Sequence, residues 1–252
     1  MRTILIFWHL ANVGNWRIIA PAQWWRLQAT GLLDACARLH VSYVGEPEPG
    51  GVRLGTPADP HYCAPLLREH PKVEWWEHPD REQFEFPTLG RMHRAAVESP
   101  EPFYAVYFHV KGAMTADHQR RNPAYWWQQY MEHHVLSGWR RCVRLLDEGH
   151  ELLGCDIRFA PALHFSGNFF WATSEYLKRL PPMDAYHAQH RSDRVMAEMW
   201  HGRGNPKYFE LQRNGPWDRD EQGNRVDPPL TGQDMYRYAM TPDKWRPVND
   251  HE

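Results

Sequence analysis

The chain has 252 residues, a net charge of −2 and a pI near 6.8. That length suits one sizeable α/β domain or two small ones, and the near-neutral balance excludes a bulk electrostatic footprint for nucleic acid or anionic lipid. Cys36, Cys63, Cys142 and Cys155 are scattered without a CxxC pair, so they read as reduced, buried thiols rather than a disulfide framework or zinc site.

Residues 3–8, "TILIFW", read as a first strand, an apolar run bounded by polar residues. The run is too short for a membrane span and lacks a signal-peptide cleavage site, so the expectation is a cytosolic protein. A loop, "NVGNW", precedes a helix expected over 20–39, with Pro21 in its first turn. A second strand is expected at 40–45, then a loop rich in Gly and Pro over 46–60, then a third strand at 72–78. A helix over 85–99 leads to a fourth strand at 103–110. The stretch 122–149 reads as one long helix, capped by Asn122, with Pro123 at its first position and Gly149 at its end. Met131, Val135, Trp139, Cys142, Val143 and Leu146 follow helical spacing and form its apolar stripe. A fifth strand is expected at 151–157. "HFSGNFFWATSEYLKRLP" then reads as strand or loop followed by a short helix from Ser174, and 192–200 as another helix. Beyond 203, Pro, Gly, Asp and Arg predict an irregular tail packed on the same domain, with a short hairpin around "DEQGN".

Alternating strands and helices predict an α/β fold: a mainly parallel, Rossmann-type sheet with helices on both faces. Ligands of such sheets bind outside the carboxyl ends of the strands. The fourth strand ends "YAVYFHVKGAM". Residues two apart face one way, so His109 and Lys111 share a side there, and Gly112 permits a close turn. An imidazole beside an ammonium suits a phosphate or diphosphate; a solvated Lys beside a backbone-bonded His is the plain alternative. In "HFSGNFFW", His164, Ser166 and Asn168 alternate with bulky residues around Gly167. Their polar groups suit sugar hydroxyls and Trp171 suits a sugar face, although an edge strand with a glycine bulge gives the same pattern. In "HRSDRVMAEMWHG", Glu198 or Asp193 suits a general base, while Arg194 and Glu198 also match a surface pair at i,i+4. His9, Asn12 and Asn15 follow the first strand, where a doubly wound fold meets a nucleotide. Neither GxGxxG nor GxxxxGK[ST] occurs, which argues against a dinucleotide oxidoreductase or P-loop enzyme. The thirteen Trp divide between core filling and sugar stacking, with the core taking most.

These stretches resemble a family of small bacterial and viral proteins similar to GT-A-type glycosyltransferases. The resemblance rests on "WHLANVGNW", "ATGLLDA", "EFPTLGRMH", "YFHVKGA", "LSGWRRCVRLL", "LLGCDI", "HFSGNFFWATSEYLKRLP" and "RVMAEMW", and covers roughly residues 3–202 as a catalytic domain. It implies transfer of a sugar from a nucleotide-sugar donor to an acceptor hydroxyl. On that basis His9, Asn12, Asn15, Glu85, His109, Lys111 and Gly112 are expected to bind the donor. His164, Ser166, Gly167, Asn168, Trp171 and Arg194 are expected to hold sugar or acceptor. Glu198, Asp193 and Lys111 are the expected catalytic groups. Transferases of this type commonly hold a divalent cation with an Asp-x-Asp motif, but this strand end carries His109-Val110-Lys111. No metal ligand is assigned, Mn or Mg stays open as a cofactor, and Asp218–Asp220 reads as a chance "DRD". The default acceptor is a surface glycan. A hydroxylated base in phage-type DNA, served by the basic runs at 118–122 and 139–144, and a non-catalytic carbohydrate-binding module are the alternatives.

Overall fold

The computed structural model describes residues 2–54, 65–114, 123–190, 193–213, 218–219 and 225–226. Cys63, Asn122, the 118–122 run and Asp220 lie outside the described residues. In chain order the elements are β1 (Thr3–Ala11), α1 (Trp16–Ala29), α2 (Leu32–Ala35), β2 (Arg38–Val44), β3 (Val73–His78), α3 (Phe86–Glu98) and β4 (Phe103–His109). There follow α4 (Pro123–Glu132), α5 (Trp139–Asp147), β5 (Leu152–Cys155), β6 (Ile157–Arg158), β7 (His164–Phe165), β8 (Phe170–Thr173) and α6 (Ser174–Leu177). The last are α7 (Met183–His190), α8 (Arg194–Met199), β9 (Tyr208–Gln212), β10 (Asp218–Arg219) and β11 (Arg225–Val226).

Seven strands form one sheet in the order β3-β2-β1-β4-β8-β5-β9. All neighbours are parallel except β8, which runs against both β4 and β5. The expected α/β class and mainly parallel sheet are therefore present. Both faces of the sheet are covered, which is why β1 and β4 read as nearly unbroken apolar runs. One face packs Trp8, Val106, Phe108 and Trp171 against α1, α4 and α5. The other packs Phe7, Tyr107, Phe170 and Ala172 against α3, α6, α7 and α8. The apolar stripe read from Met131 to Leu146 is buried at every position. No helix among the described residues is long and apolar enough to cross a membrane.

Several boundaries differ from expectation. α1 begins at Trp16, so Pro21 lies inside the helix rather than in its first turn. The chain then breaks at Gly31, whose φ of 74° ends the helical course, and β2 starts earlier than expected. The single helix expected over 122–149 is interrupted by a π-helical turn, His133–Ser137. The Gly138 N–H closes that turn by donating to the His133 carbonyl at 3.0 Å, the i,i+5 bond that defines it. The segment 151–157 splits: β5 stays in the sheet, while β6 leaves it to pair with β7. Residues 208–212, expected to be irregular, form the sheet's edge strand β9, parallel to β5. The expected hairpin near "DEQGN" is seen as β10 against β11.

Candidate functional site

β1 and β4 lie side by side with His9 directly opposite His109. The chain leaves β1 toward β2 and β3 on one side, and β4 lies on the other. This is the switch point of a doubly wound sheet, where diverging loops leave a crevice. A cleft of about 600 Å³ opens there, within the usual range for small-molecule sites. The loops that frame it are pressed together. The Asn15 N–H donates to the Ala113 carbonyl at 2.8 Å, and Gly14, at φ 48°, leaves no room for a Cβ, which would lie 2.0 Å from that same oxygen.

The centre of the cleft is a buried polar cluster on the α3 side. Glu85 immediately precedes α3 and is 5% exposed. Its Oε2 accepts from the Tyr107 hydroxyl at 3.0 Å and from Asn168 Nδ2. Its Oε1 lies 3.4 Å from His109 Nδ1. The other nitrogen of His109, Nε2, donates to the Gly167 carbonyl at 3.0 Å. His9 Nδ1 lies 3.0 Å from the Thr88 hydroxyl. Burial pushes His109 down to about 3, with Lys111 adding to the effect. Burial likewise takes His9 down to about 4 against the opposing pull of Glu85. Burial thus favours the neutral form of both rings. Burial and the Glu85 carboxyl push the Tyr107 phenol well above its ordinary value, so it stays a donor.

Around this cluster stand three cationic side chains. Lys111 follows a sharp turn in which its N–H donates to the His109 carbonyl at 2.8 Å. Its Nζ is 4.8 Å from the centre of the Trp127 ring and 3.8 Å from Glu198 Oε1. Arg194 and Arg81 line the same cleft. Ala11, Val13, Val44 and Phe84 add apolar lining to the cleft. Phe84 has φ 46° and ψ −128°, a conformation that costs a bulky residue about 1–3 kcal/mol. It ends the turn Arg81–Gln83, which Asp80 caps through Oδ1 and the Glu82 N–H at 2.9 Å.

The structure thus brings His9, Glu85, His109, Lys111, Gly112 and Arg194 to one cleft. Other expected site residues stand elsewhere. Asn12 donates to the Glu46 carbonyl at 2.8 Å, and Asn15 meets the cleft loops through its backbone. His164 is buried on β7 with Nδ1 2.8 Å from the Ala162 carbonyl, and the Ser166 N–H donates to the Asp156 carbonyl, both away from the cleft walls. Trp171 is wholly buried and donates its indole N–H to the Val135 carbonyl, so the expected sugar platform is a core residue. Asn168 is also wholly buried; its amide holds Glu85 rather than facing the cleft. Gly167 contributes its carbonyl to His109. Asp193, expected as a candidate base, caps α8: its Oδ1 accepts from the Val195 N–H at 3.0 Å. Glu198 pairs with Lys111, not with Arg194. Phe84, Arg81, Tyr107 and Trp127 were not expected here. Only Arg81, a cation between Asp80 and Glu82 before the helix at 85, carries any sequence signal, and a weak one.

Among the described residues no group of three or more His, Cys, Asp or Glu is placed to hold a metal ion. His109 and Lys111 occupy the strand end where the resemblance would put acidic ligands, and a protonated Lys is no ligand. The described residues at this strand end do not fit a bound divalent cation.

Fold and cleft together define a doubly wound α/β protein with an open crevice at its switch point. Residues 52–225 match the family described as "Domain of unknown function (DUF8361)", and the chain belongs to that family. No curated protein matches it. The matched segment includes Glu85, His109, Lys111 and Glu198; His9 lies before it.

Proposed function

We propose that this protein is a GT-A-like glycosyltransferase that moves a sugar from a nucleotide-sugar donor to an acceptor hydroxyl, by default on a surface glycan. One observation carries the reading. Lys111, held between Trp127 and Glu198 at the carboxyl end of β4, shares the switch-point cleft with Arg194 and Arg81. Three cations at that edge match a diphosphate, and an apolar lining of Ala11, Val13, Val44 and Phe84 matches a nucleoside. Lys111 stabilises the charge that develops on the departing diphosphate, in the role a metal plays elsewhere. Glu198, 3.8 Å from that ammonium, takes the acceptor proton if the anomeric centre inverts.

A thermal-shift panel of nucleotide sugars, with and without Mn²⁺, tests this. A ligand of the folded state raises the melting temperature. At least one nucleotide sugar should do so without added metal, and Lys111→Ala should reduce the shift. A flat panel, with no transfer or hydrolysis of any donor, overturns the reading.

A further inference from the structure

His109 Nε2 faces the Gly167 carbonyl, which can only accept, so that nitrogen carries a hydrogen. With the ring neutral, Nδ1 offers a lone pair. Glu85 Oε1, 3.4 Å away, offers lone pairs too when the carboxyl is ionised. Two bare acceptors in direct contact repel each other, and the gap leaves no room for a bridging water. Glu85 Oε2 already receives two donors, Tyr107 and Asn168, so neither can turn to relieve Oε1. Both side chains are buried, at 5% and 8% exposure, yet both line the cleft. Three separate elements aim them together: the start of α3, the end of β4 and the turn before β8.

We infer that Glu85 and His109 hold one proton between them, form a dyad of zero net charge, and serve as the proton donor of the cleft. Whether the proton sits on Oε1 or Nδ1, the net charge of the pair is the same. The other groups facing it are Tyr107 on β4, His9 on β1, Lys111 beyond β4, and Arg194 and Glu198 on α8. The donor role rests on the glycosyl-transfer reading; the proton itself does not. In the transfer, the acceptor oxygen bonds to the anomeric carbon as the bond from that carbon to the phosphate oxygen breaks. The bonding pair leaves with the diphosphate, which takes the dyad's proton. The acceptor's own proton passes to the Glu198 carboxylate. Proton exchange with solvent restores both groups.

Native electrophoretic mobility at pH 7 counts the proton without any substrate. Glu85→Gln exchanges a carboxyl for a neutral amide of the same shape. If the dyad is neutral, the variant co-migrates with the wild type. Glu101→Gln, at an exposed carboxylate, calibrates the shift that one charge produces. A Glu85→Gln shift equal to that of Glu101→Gln overturns the dyad. Should Glu85→Gln fail to fold, Glu85→Met poses the same charge question. With a donor identified, Glu85→Gln should lower kcat about 100-fold or more and remove the alkaline limb of the pH profile. Co-migration with wild-type turnover would overturn the donor role and leave the shared proton standing.

Discussion

Two glutamates are buried near the carboxyl end of β4, one on each face of the sheet, and they are held in opposite ways. Glu132, on α4, is wholly buried and fully matched. Its Oε1 accepts from Gln23 Nε2 at 2.9 Å and Gln128 Nε2 at 2.5 Å, and its Oε2 from Arg26 Nε at 3.0 Å. Gln23 in turn accepts from Trp8 Nε1 and donates to the His109 carbonyl, so the network pins β1, β4, α1 and α4 together. Glu85 has two neutral donors on one oxygen and an imidazole nitrogen opposite the other, and among the described residues no guanidinium or ammonium is bonded to it. A carboxylate with its charge and lone pairs satisfied is a fastener. A carboxyl missing a cation and facing a second acceptor is a proton store that opens on a cleft.

Acidification should break both sides at once, and hardest. His9 is held down to about 4, and His134 and His201 to about 3, each chiefly by burial. His201 belongs to the Glu85 side, and His134 to the π-turn after Glu132. Each folded value lies below the unfolded one of 6.5, so the unfolded chain binds the extra protons. The stability these rings contribute is complete above that pH and is lost on the way down toward the folded values, at up to about 1.4 kcal/mol per pH unit for each ring. Urea midpoints measured between pH 7 and 4 should fall steeply, and a flat profile would contradict neutral burial. Next in size, Glu132→Ala should cost about 3–5 kcal/mol in chemical denaturation, because it strands the Arg26 charge. Glu85→Gln should cost less than about 1 kcal/mol in the same assay; equal losses would erase the distinction between the two sites. Lys111→Ala should leave stability almost unchanged and weaken nucleotide-sugar binding about 10- to 100-fold by calorimetry. Asp193→Ala should cost about 1 kcal/mol from a lost cap, with its kcat held near wild type if this carboxylate is only structural.

The cleft's location was legible because it depends on sheet logic. Alternating strands and helices placed His109 and Lys111 at a ligand edge, and a helix start placed Glu85 near it. The partners that set the chemistry were not legible. Asn168 reaches Glu85 only because the chain turns at Gly167 with φ 88° and at Asn168 with φ 56°, and an alternating pattern reads such a turn as a continuous strand. Gln23 and Glu132 are polar residues inside helices rich in aromatics, and pattern reading assigns polar positions to solvent. The strained Phe84 has no signature, since its backbone is held by tertiary contacts rather than local preference. Strand β9, "YFELQ", was hidden by Pro, Gly and Arg on either side, although the five residues themselves suit an edge strand.

The reversed direction of β8 has a consequence for how the molecule loses its activity. An antiparallel strand begins where its parallel neighbours end, so the turn just before β8 delivers Gly167 to His109 and Asn168 to Glu85. β8 is also an inner strand, paired with β4 on one side and β5 on the other. Its amides should be among the last to exchange with deuterium, and the turn attached to it should share that protection. Site and sheet would then open in a single event, with no partly unfolded form that keeps the fold while losing the Glu85 cluster.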